Sequence, residues 1–399
     1  MRFNLWEDCN RVPLTELLSF VVDNRGKTVP TAPSGHKLIA TNCVTNNALF
    51  PVYEKIRYLS EETYQTWFRA HPIPGDILFV NKGTPGRVCL VPDPVDFCIA
   101  QDMIALRADE SKIYPKYLFA VLRSREIQQQ IYNTNVGDVI PHFKKQFLDQ
   151  LLIPIPERSI QESIGDLYYV LSLKAERNKK INDNLQQQLF SLYENMATAS
   201  PCLKEYTLSN LCDFQEGYVN PPQTHPEYFD GEVKWLRAVD INESFIIETS
   251  RTLTKAGFES AKKSALLFEP NTIAISKSGT IGRLGIIADY MCGNRAVINI
   301  APHDTNMLAF IYCFLKSKQR EFPDMAVGSV QKNLYVSLLE PLSVSIPDNE
   351  SLTAFNAVGA SILGMIHNNC VENTDLANLR DTILPKLMSG EIDVSSVLL

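Results

Sequence analysis

No stretch of this chain approaches the roughly 18 uninterrupted apolar residues of a membrane-spanning helix, so no bilayer span is expected. The opening MRFNLWEDCNRVPLTEL has neither the apolar core nor the small-residue cleavage site of a secretory signal. The nine cysteines (9, 43, 89, 98, 202, 212, 292, 313, 370) are scattered, with no CxxC, and the six histidines form no HExxH or HxxxH group. A metal site is therefore not expected, and the cysteines read as reduced, mostly buried thiols of a cytoplasmic protein. A surplus of positive charge is missing too. Lys and Arg number 38 against 45 Asp and Glu, a net charge of −7. A free-standing nucleic-acid binder usually carries a basic excess, so any DNA role needs a local basic face or a partner that supplies phosphate contacts.

What the chain does have is itself, twice. Residues Val136–Met196 and Val327–Leu387 align without a gap at a constant offset of 191. Ile155-Pro156 meets Ile346-Pro347, and Asn178, Asn182 and Leu185 meet Asn369, Asn373 and Leu376. Gly26 and Gly217 keep the same offset. Upstream, Pro74–Pro92 matches Pro270–Ala288 at offset 196, with six of 19 positions identical, including a Gly-Thr-x-Gly-Arg core. The period is about half of the 399 residues, too long for a solenoid and suited to a duplicated two-part unit. The length itself allows two to three domains.

The first part of each repeat, 10–157 and 203–348, reads as mixed α and β. Short apolar runs bounded by Gly, Pro and Asn predict strands at 37–40, 76–80, 88–91 and 99–106, with counterparts at 233–236, 272–276, 284–288 and 296–301. A helix is predicted in each, at 115–132 and 305–320, then an extended piece, 151–155 and 342–346, stopped by Pro156 and Pro347.

The second part is a long helix. No proline interrupts Ser159–Met196. Its apolar positions, Ile160, Ile164, Leu167, Leu171, Ile181, Leu185, Leu189 and Leu192, fall at steps of three and four or their sums. The copy runs Leu352, Phe355, Val358, Ile362, Ile366, Leu376, Leu379, Ile383 and Leu387. Ser159 followed by Glu162 predicts a capping box. About 38 residues at 1.5 Å each make a rod of about 57 Å, too long to bury its stripe on one small domain. The two helices are therefore expected to pair, and chain direction makes the pair antiparallel. Polar residues interrupt the seam: Lys174, Asn178 and Asn182 in one helix, Asn369 and Asn373 in the other. Either they face water at the edge, or cross-helix amide hydrogen bonds fix the register.

This ordered set of features, a PGDIL-type strand, a Gly-Thr-x-Gly loop, an IPIP or VSIP strand end and a long Asn-bearing helix, twice over, resembles the specificity subunit of type I restriction–modification systems. The run Leu384-Pro385-Lys386-Leu387-Met388-Ser389-Gly390-Glu391-Ile392 is also similar to that family. The resemblance covers essentially the whole chain. It implies an α+β architecture of two similar mixed α/β target recognition domains separated by two long antiparallel helices. Recognition domain 1 would span 1–158, spacer helix 1 159–198, recognition domain 2 199–348, spacer helix 2 349–390, and a tail 391–399. It also implies a non-catalytic cytoplasmic subunit. Each domain would read one half of a bipartite, asymmetric site in double-stranded DNA. The helices would set the spacer and dock two methyltransferase subunits, and restriction subunits would join. No cofactor would bind this chain; S-adenosylmethionine, ATP and Mg would belong to the partners.

Several residues are candidates for those roles. Lys82, Thr84 and Arg87 in one Gly-Thr-x-Gly-Arg loop, and Lys277, Ser278, Thr280 and Arg283 in the other, bring donors to DNA, or else form tight turns whose arginines make scaffold ion pairs. Neither loop is a Walker A or GxGxxG motif. Recurrence of the same loop in domains that read different sequences favours scaffold or phosphate over base contact. His142, Lys144 and Lys145 could touch phosphate or be a solvated turn. Lys316, Lys318 and Arg320 end a helix, where dipole compensation suffices. Lys174, Arg177, Lys179 and Lys180 mark the middle of the first long helix, facing DNA, a partner or solvent. Ile164, Leu171, Asn178, Asn182, Leu185, Ile362, Asn369, Asn373 and Leu376 are the expected helix-pair and partner interface. Asn220-Pro221-Pro222-Gln223 resembles the base-holding tetrad of adenine methyltransferases, but Gln223 replaces the stacking aromatic and no Gly-rich cofactor strand precedes it. An adenine methyltransferase, or a coiled-coil adaptor without a DNA role, are the alternative readings.

Overall fold

The computed structural model describes residues 4–24, 28–134, 141–199, 204–328 and 331–392. Gly26, Val136-Gly137, Leu203 and 393–399 lie outside the described residues. The chain forms two units. One is Met1–Arg177 together with Asp375–Leu399; the other is Asn178–Thr374.

In the first unit, Leu18–Val22, Met103–Ala108, Ile77–Val80 and Val88–Leu90 form an antiparallel four-stranded sheet in that order. Ile77 and Phe79 enter one core with Ile104, Leu106 and the helix Pro115–Leu122. Leu78 and Val80 enter another with Ile39, Ile99 and Cys89. A sheet buried on both faces needs an unbroken apolar run rather than alternation, which is why these strands read as short solid blocks. A three-stranded sheet of Arg57–Leu59, His36–Ile39 and Phe97–Ile99 lies beyond. Asn10–Pro13 pairs with Leu152–Ile155.

The second unit repeats the plan with additions. Cys212–Glu216, Val297–Pro302, Ile273–Ser276, Leu284–Ile287 and Phe245–Ile246 form one sheet. Thr252–Leu253, Phe229–Leu236, Met291–Gly293 and Leu267–Phe268 form another, and Lys204–Thr207 pairs with Ser343–Ile346. Ile273 and Ile275 pack with the buried helix Leu308–Lys318, while Ala274 packs with Phe268 and Ile287.

The long helices run Arg158–Ala199 and Asn349–Met388. In the second unit Asn178 meets Glu372 and Asn373, and Asn182 meets Ile366, Asn369 and Cys370. Numbers rise on one helix as they fall on the other, so the helices are antiparallel. In the first unit, Ile164, Leu167 and Leu171 share a small apolar void with Ile383, Leu384 and Leu387, and the Arg380 guanidinium lies 5.6 Å from the Tyr168 ring centre.

Several sequence expectations are corrected. Ser159 is not the N-cap: the helix starts at Arg158, Glu157 O accepts from the Ile160 and Gln161 amides, and Glu162 pairs with Arg158. The 99–106 strand is two, Phe97–Ile99 and Met103–Ala108, separated by a turn with Asp102 at φ 76°. The 115–132 helix is also two, Pro115–Leu122 and Arg125–Thr134, broken at Arg123-Ser124. Ile181, Leu192, Val358 and Leu379 are exposed at 47%, 41%, 48% and 45%, while Leu384 and Arg380 are buried instead. Summed steps of three and four drift around a 3.6-residue helix, so a long list built on them mixes two faces.

Candidate nucleic-acid interface

Each Gly-Thr-x-Gly-Arg loop is the turn of a hairpin, joining Ile77–Val80 to Val88–Leu90 and Ile273–Ser276 to Leu284–Ile287. Their main-chain hydrogen bonds correspond one to one. Val80 N donates to Arg87 O and Gly86 N to Val80 O, both at 2.9 Å; Ser276 N donates to Arg283 O and Gly282 N to Ser276 O, again at 2.9 Å. Gly86 and Gly282 sit at φ 90° and 84°, where a side chain is strained. They are also under cover. A Cβ on Gly86 would meet Ile131 at 3.1 Å, and one on Gly282 would meet Phe322 at 3.0 Å. Gln128 Nε2 donates to Gly86 O and Gln319 Nε2 to Gly282 O, each at 2.9 Å. Gln128 and Gln319, like Ile131 and Phe322, are 191 residues apart. The fastening is duplicated along with the loop.

The loop side chains differ in what they do. Lys277 Nζ donates to Glu216 at 2.7 Å, Tyr218 donates to the same carboxylate at 2.8 Å, and the Tyr335 ring lies 4.9 Å from the ammonium. Burial alone would raise the Glu216 pKa, but the Lys277 and Tyr218 hydrogen bonds outweigh it and hold the carboxyl below its usual range. Lys277 is therefore committed within its own unit. Lys82 stands 3.9 Å from Asp102 and is 45% exposed. Thr84 and Ser278 are half-buried and Thr280 is exposed. Arg87 is exposed and Arg283 half-exposed, and neither has an ion-pair or hydrogen-bond partner for its guanidinium among the described residues.

The structure brings the 142–145 segment to its loop. His142 bridges Lys82, Gly83 N donates to Pro141 O, and Phe143 N donates to Asn81 O at 2.8 Å. The equivalent Leu334 N donates to Lys277 O at 2.9 Å. Phe143 and Leu334 are fully buried, which pins both segments. Lys144 is exposed, whereas Lys145 pairs with Asp23 at 3.1 Å. Lys316 is not merely a dipole-compensating cation: it pairs with Glu243, and Lys318 pairs with Glu321 at 3.1 Å.

Two tethering groups escaped the sequence reading. Arg123 donates to the carbonyls of Thr45 and Val88 at 3.2 Å and 2.7 Å, also to Ala48, and to the Tyr168 hydroxyl of the first long helix at 3.4 Å. Glu243, at φ 67°, accepts from Lys316 and Gln319 on its carboxylate and from Gln186 and Tyr312 on its carbonyl. Gln319 thus joins the loop carbonyl to Glu243, and Glu243 joins the long helix. No motif marks either group; identity at the 191 offset is the one signal that could have found Gln128 and Gln319.

Along the seam, geometry decides the open question. Asn178 is 1% exposed and Asn182 6%. Asn178 Nδ2 donates to Glu372 at 2.6 Å and to Asn373 at 3.0 Å, and Asn369 Nδ2 donates to Asn182 Oδ1 at 2.7 Å. Ile164 and Ile362 are buried; Leu171, Leu185 and Leu376 are partly so, and Lys174, Arg177, Lys179 and Lys180 are exposed. Of the tetrad Asn220–Gln223, Gln223 accepts from Arg251 at 2.9 Å, and Asn220 and Pro222 line an open concavity with His225, Tyr228 and Arg295. Among the described residues, no three His, Cys, Asp or Glu side chains could hold a metal ion, and no helix is long and apolar enough to cross a membrane.

Two mixed α/β parts with duplicated hairpin loops and antiparallel long helices define a specificity-subunit architecture, and the chain belongs to that family: the model of the type I restriction modification DNA specificity domain matches residues 21–187 and again 203–374. It is a sequence-specificity subunit, the non-catalytic member of its system. It is similar to the type I restriction enzyme HindI specificity subunit of Haemophilus influenzae, 21% identical over 400 residues that cover 80% of this chain and 86% of the relative. The MjaIX specificity subunit of Methanocaldococcus jannaschii is 21% identical over 345 residues, 81% of this chain and 79% of the relative. In fold it matches the crystal structure of the type I restriction-modification S subunit from M. genitalium, with TM-score 0.55, 18% identity and 96% of both chains covered.

Proposed function

We propose that each globular part, within 1–158 and 199–348, reads one half of a bipartite, asymmetric site in double-stranded DNA. The long helices set the unread spacer and dock two methyltransferase subunits, with restriction subunits joining the assembly in the cytoplasm. S-adenosylmethionine, ATP and Mg belong to those partners. One observation carries the reading: the two loops share a backbone frame while the side chains around them differ. Asn81, Lys82, His142 and Lys144 of one stand where the other has Lys277, Ser278, Asn333 and Tyr335. Like frames with unlike edges suit half-sites of unlike sequence. A helix of 42 residues is about 63 Å long, more than one B-DNA turn of about 34–36 Å. The net charge of −7 is consistent with partners that supply much of the counterion release.

Exchange of residues 1–157 for the corresponding part of another family member tests the proposal. Methylation mapping in cells expressing the chimera with its methyltransferase should show one half-site changed. Alteration of both halves would contradict modular reading.

A further inference from the structure

We propose that Arg87 and Arg283 are equivalent phosphate clamps that dock the two recognition domains on DNA in the same way, without reading sequence. The inference rests on the half-site reading above and assigns roles within it. Heads that read different bases need different base-contacting side chains. A group that recurs at the same place in the same frame serves what both half-sites share, the sugar–phosphate backbone. Arg87 and Arg283 fit this on three counts. They are identical at an offset of 196 and are the charged members of the shared Gly-Thr-x-Gly-Arg core. Their main chains close the same hydrogen bonds, to Val80 and to Ser276.

The third count is that the scaffold does not use them. The turns are held by glycine conformation, by Gln128 and Gln319, and by Ile131 and Phe322, leaving both guanidinium groups without a partner among the described residues. Two arginines of the first unit show what internal use looks like: Arg107 forks onto Asp76 at 2.9 Å and 3.0 Å, and Arg123 is engaged with carbonyls and the Tyr168 hydroxyl. Lys277, by contrast, is neutralised by Glu216 and has Asn81 as its counterpart, so it cannot be part of a shared clamp.

The test uses the full chain bound to its methyltransferase subunits, on a duplex carrying the site defined by methylation mapping. Arg87→Gln and Arg283→Gln should each reduce the slope of log K against log salt by about 0.9, and the double variant by about 1.8. Binding should weaken about eightfold per arginine at 0.1 M salt, and about fourfold at 0.2 M. The methylated sequence should stay the same. Arg87→Lys and Arg283→Lys should restore the slope, because a lysine releases the same counterion; a bidentate guanine contact would not survive that change. Relaxed specificity at one half-site would overturn the proposal in favour of base reading. An unchanged slope and affinity would overturn it in favour of no contact. If the unaltered complex methylated no bipartite site, the half-site reading itself would fail, and the clamp with it.

Discussion

Asn182 and Asn369 offer a sharp test of what the helix seam contributes. Their 2.7 Å amide bond is the shortest contact of Asn182, which otherwise reaches only Ile366 O and Cys370 Sγ at 3.4 Å each. Asn182→Ala loses that bond, worth about 1 kcal/mol, and strands the Asn369 donor in a half-buried position, for a total of about 2 kcal/mol. Asn369→Ala strands the side-chain oxygen of Asn182, a residue only 6% exposed, and should cost at least as much. The two changes share one interaction, so the double alanine variant should fall short of their sum by about 1 kcal/mol. Replacing both by leucine leaves no orphaned polar group and should be neutral or stabilising. Urea unfolding of the four variants, followed by far-ultraviolet circular dichroism, measures each term. A coupling below about 0.3 kcal/mol, within ordinary additivity, would refute the argument, as would a double leucine variant weaker than both alanine singles.

Two further outcomes follow from the second loop. Gly279 and Gly282 share a positive φ, but a Cβ on Gly279 meets nothing within 4 Å while one on Gly282 strikes Phe322 at 3.0 Å; Gly279→Ala should cost about 1–2 kcal/mol and Gly282→Ala about 1–3 kcal/mol more, and equal losses on thermal unfolding would discard the contact argument. Glu216 is held below its ordinary 4.5, so its contribution is complete above that pH and lost as pH falls through the lowered folded value; in Lys277→Met the half-buried carboxylate loses its cation and this one contribution reverses, so acidification between about pH 5 and 3 should cost the variant less stability than it costs the unaltered chain, a difference that paired urea titrations would reveal.

The duplicated strands and long helices were legible because their physics is local. Two-sided burial makes Ile77–Val80 and 273–275 solid apolar blocks, and the proline-free periodic run after Pro156 reads as one long helix. Breaks were not legible. The break at Arg123-Ser124 is a cap inside an apolar run: the Ser124 hydroxyl accepts from the Ile127 amide and its carbonyl from the Gln128 amide, which starts the second helix. The true helix start at Arg158 followed from backbone bonds to Glu157 that compete with the Ser159 side chain. Whether Asn178 and Asn182 faced water could not be read, since amides on a helix edge look the same in sequence whether or not a partner waits opposite. Lys277 and Lys145 looked free and are not, because Glu216 and Asp23 lie 61 and 122 residues away. Glu243 carried no signal at all: a glutamate at φ 67° is tolerated there only because four donors converge on it.

The division of the chain has a consequence for its birth. The core holding Leu5, Phe119 and Ile164 also contains Leu384, Leu387 and Met388. The other unit, Asn178–Thr374, is one uninterrupted stretch. During translation, the part made first must therefore wait with an open flank while the part made second finishes. Order of synthesis and order of completion run opposite ways, for the unit begun first closes only when Leu384, Leu387 and Met388 are free to join it.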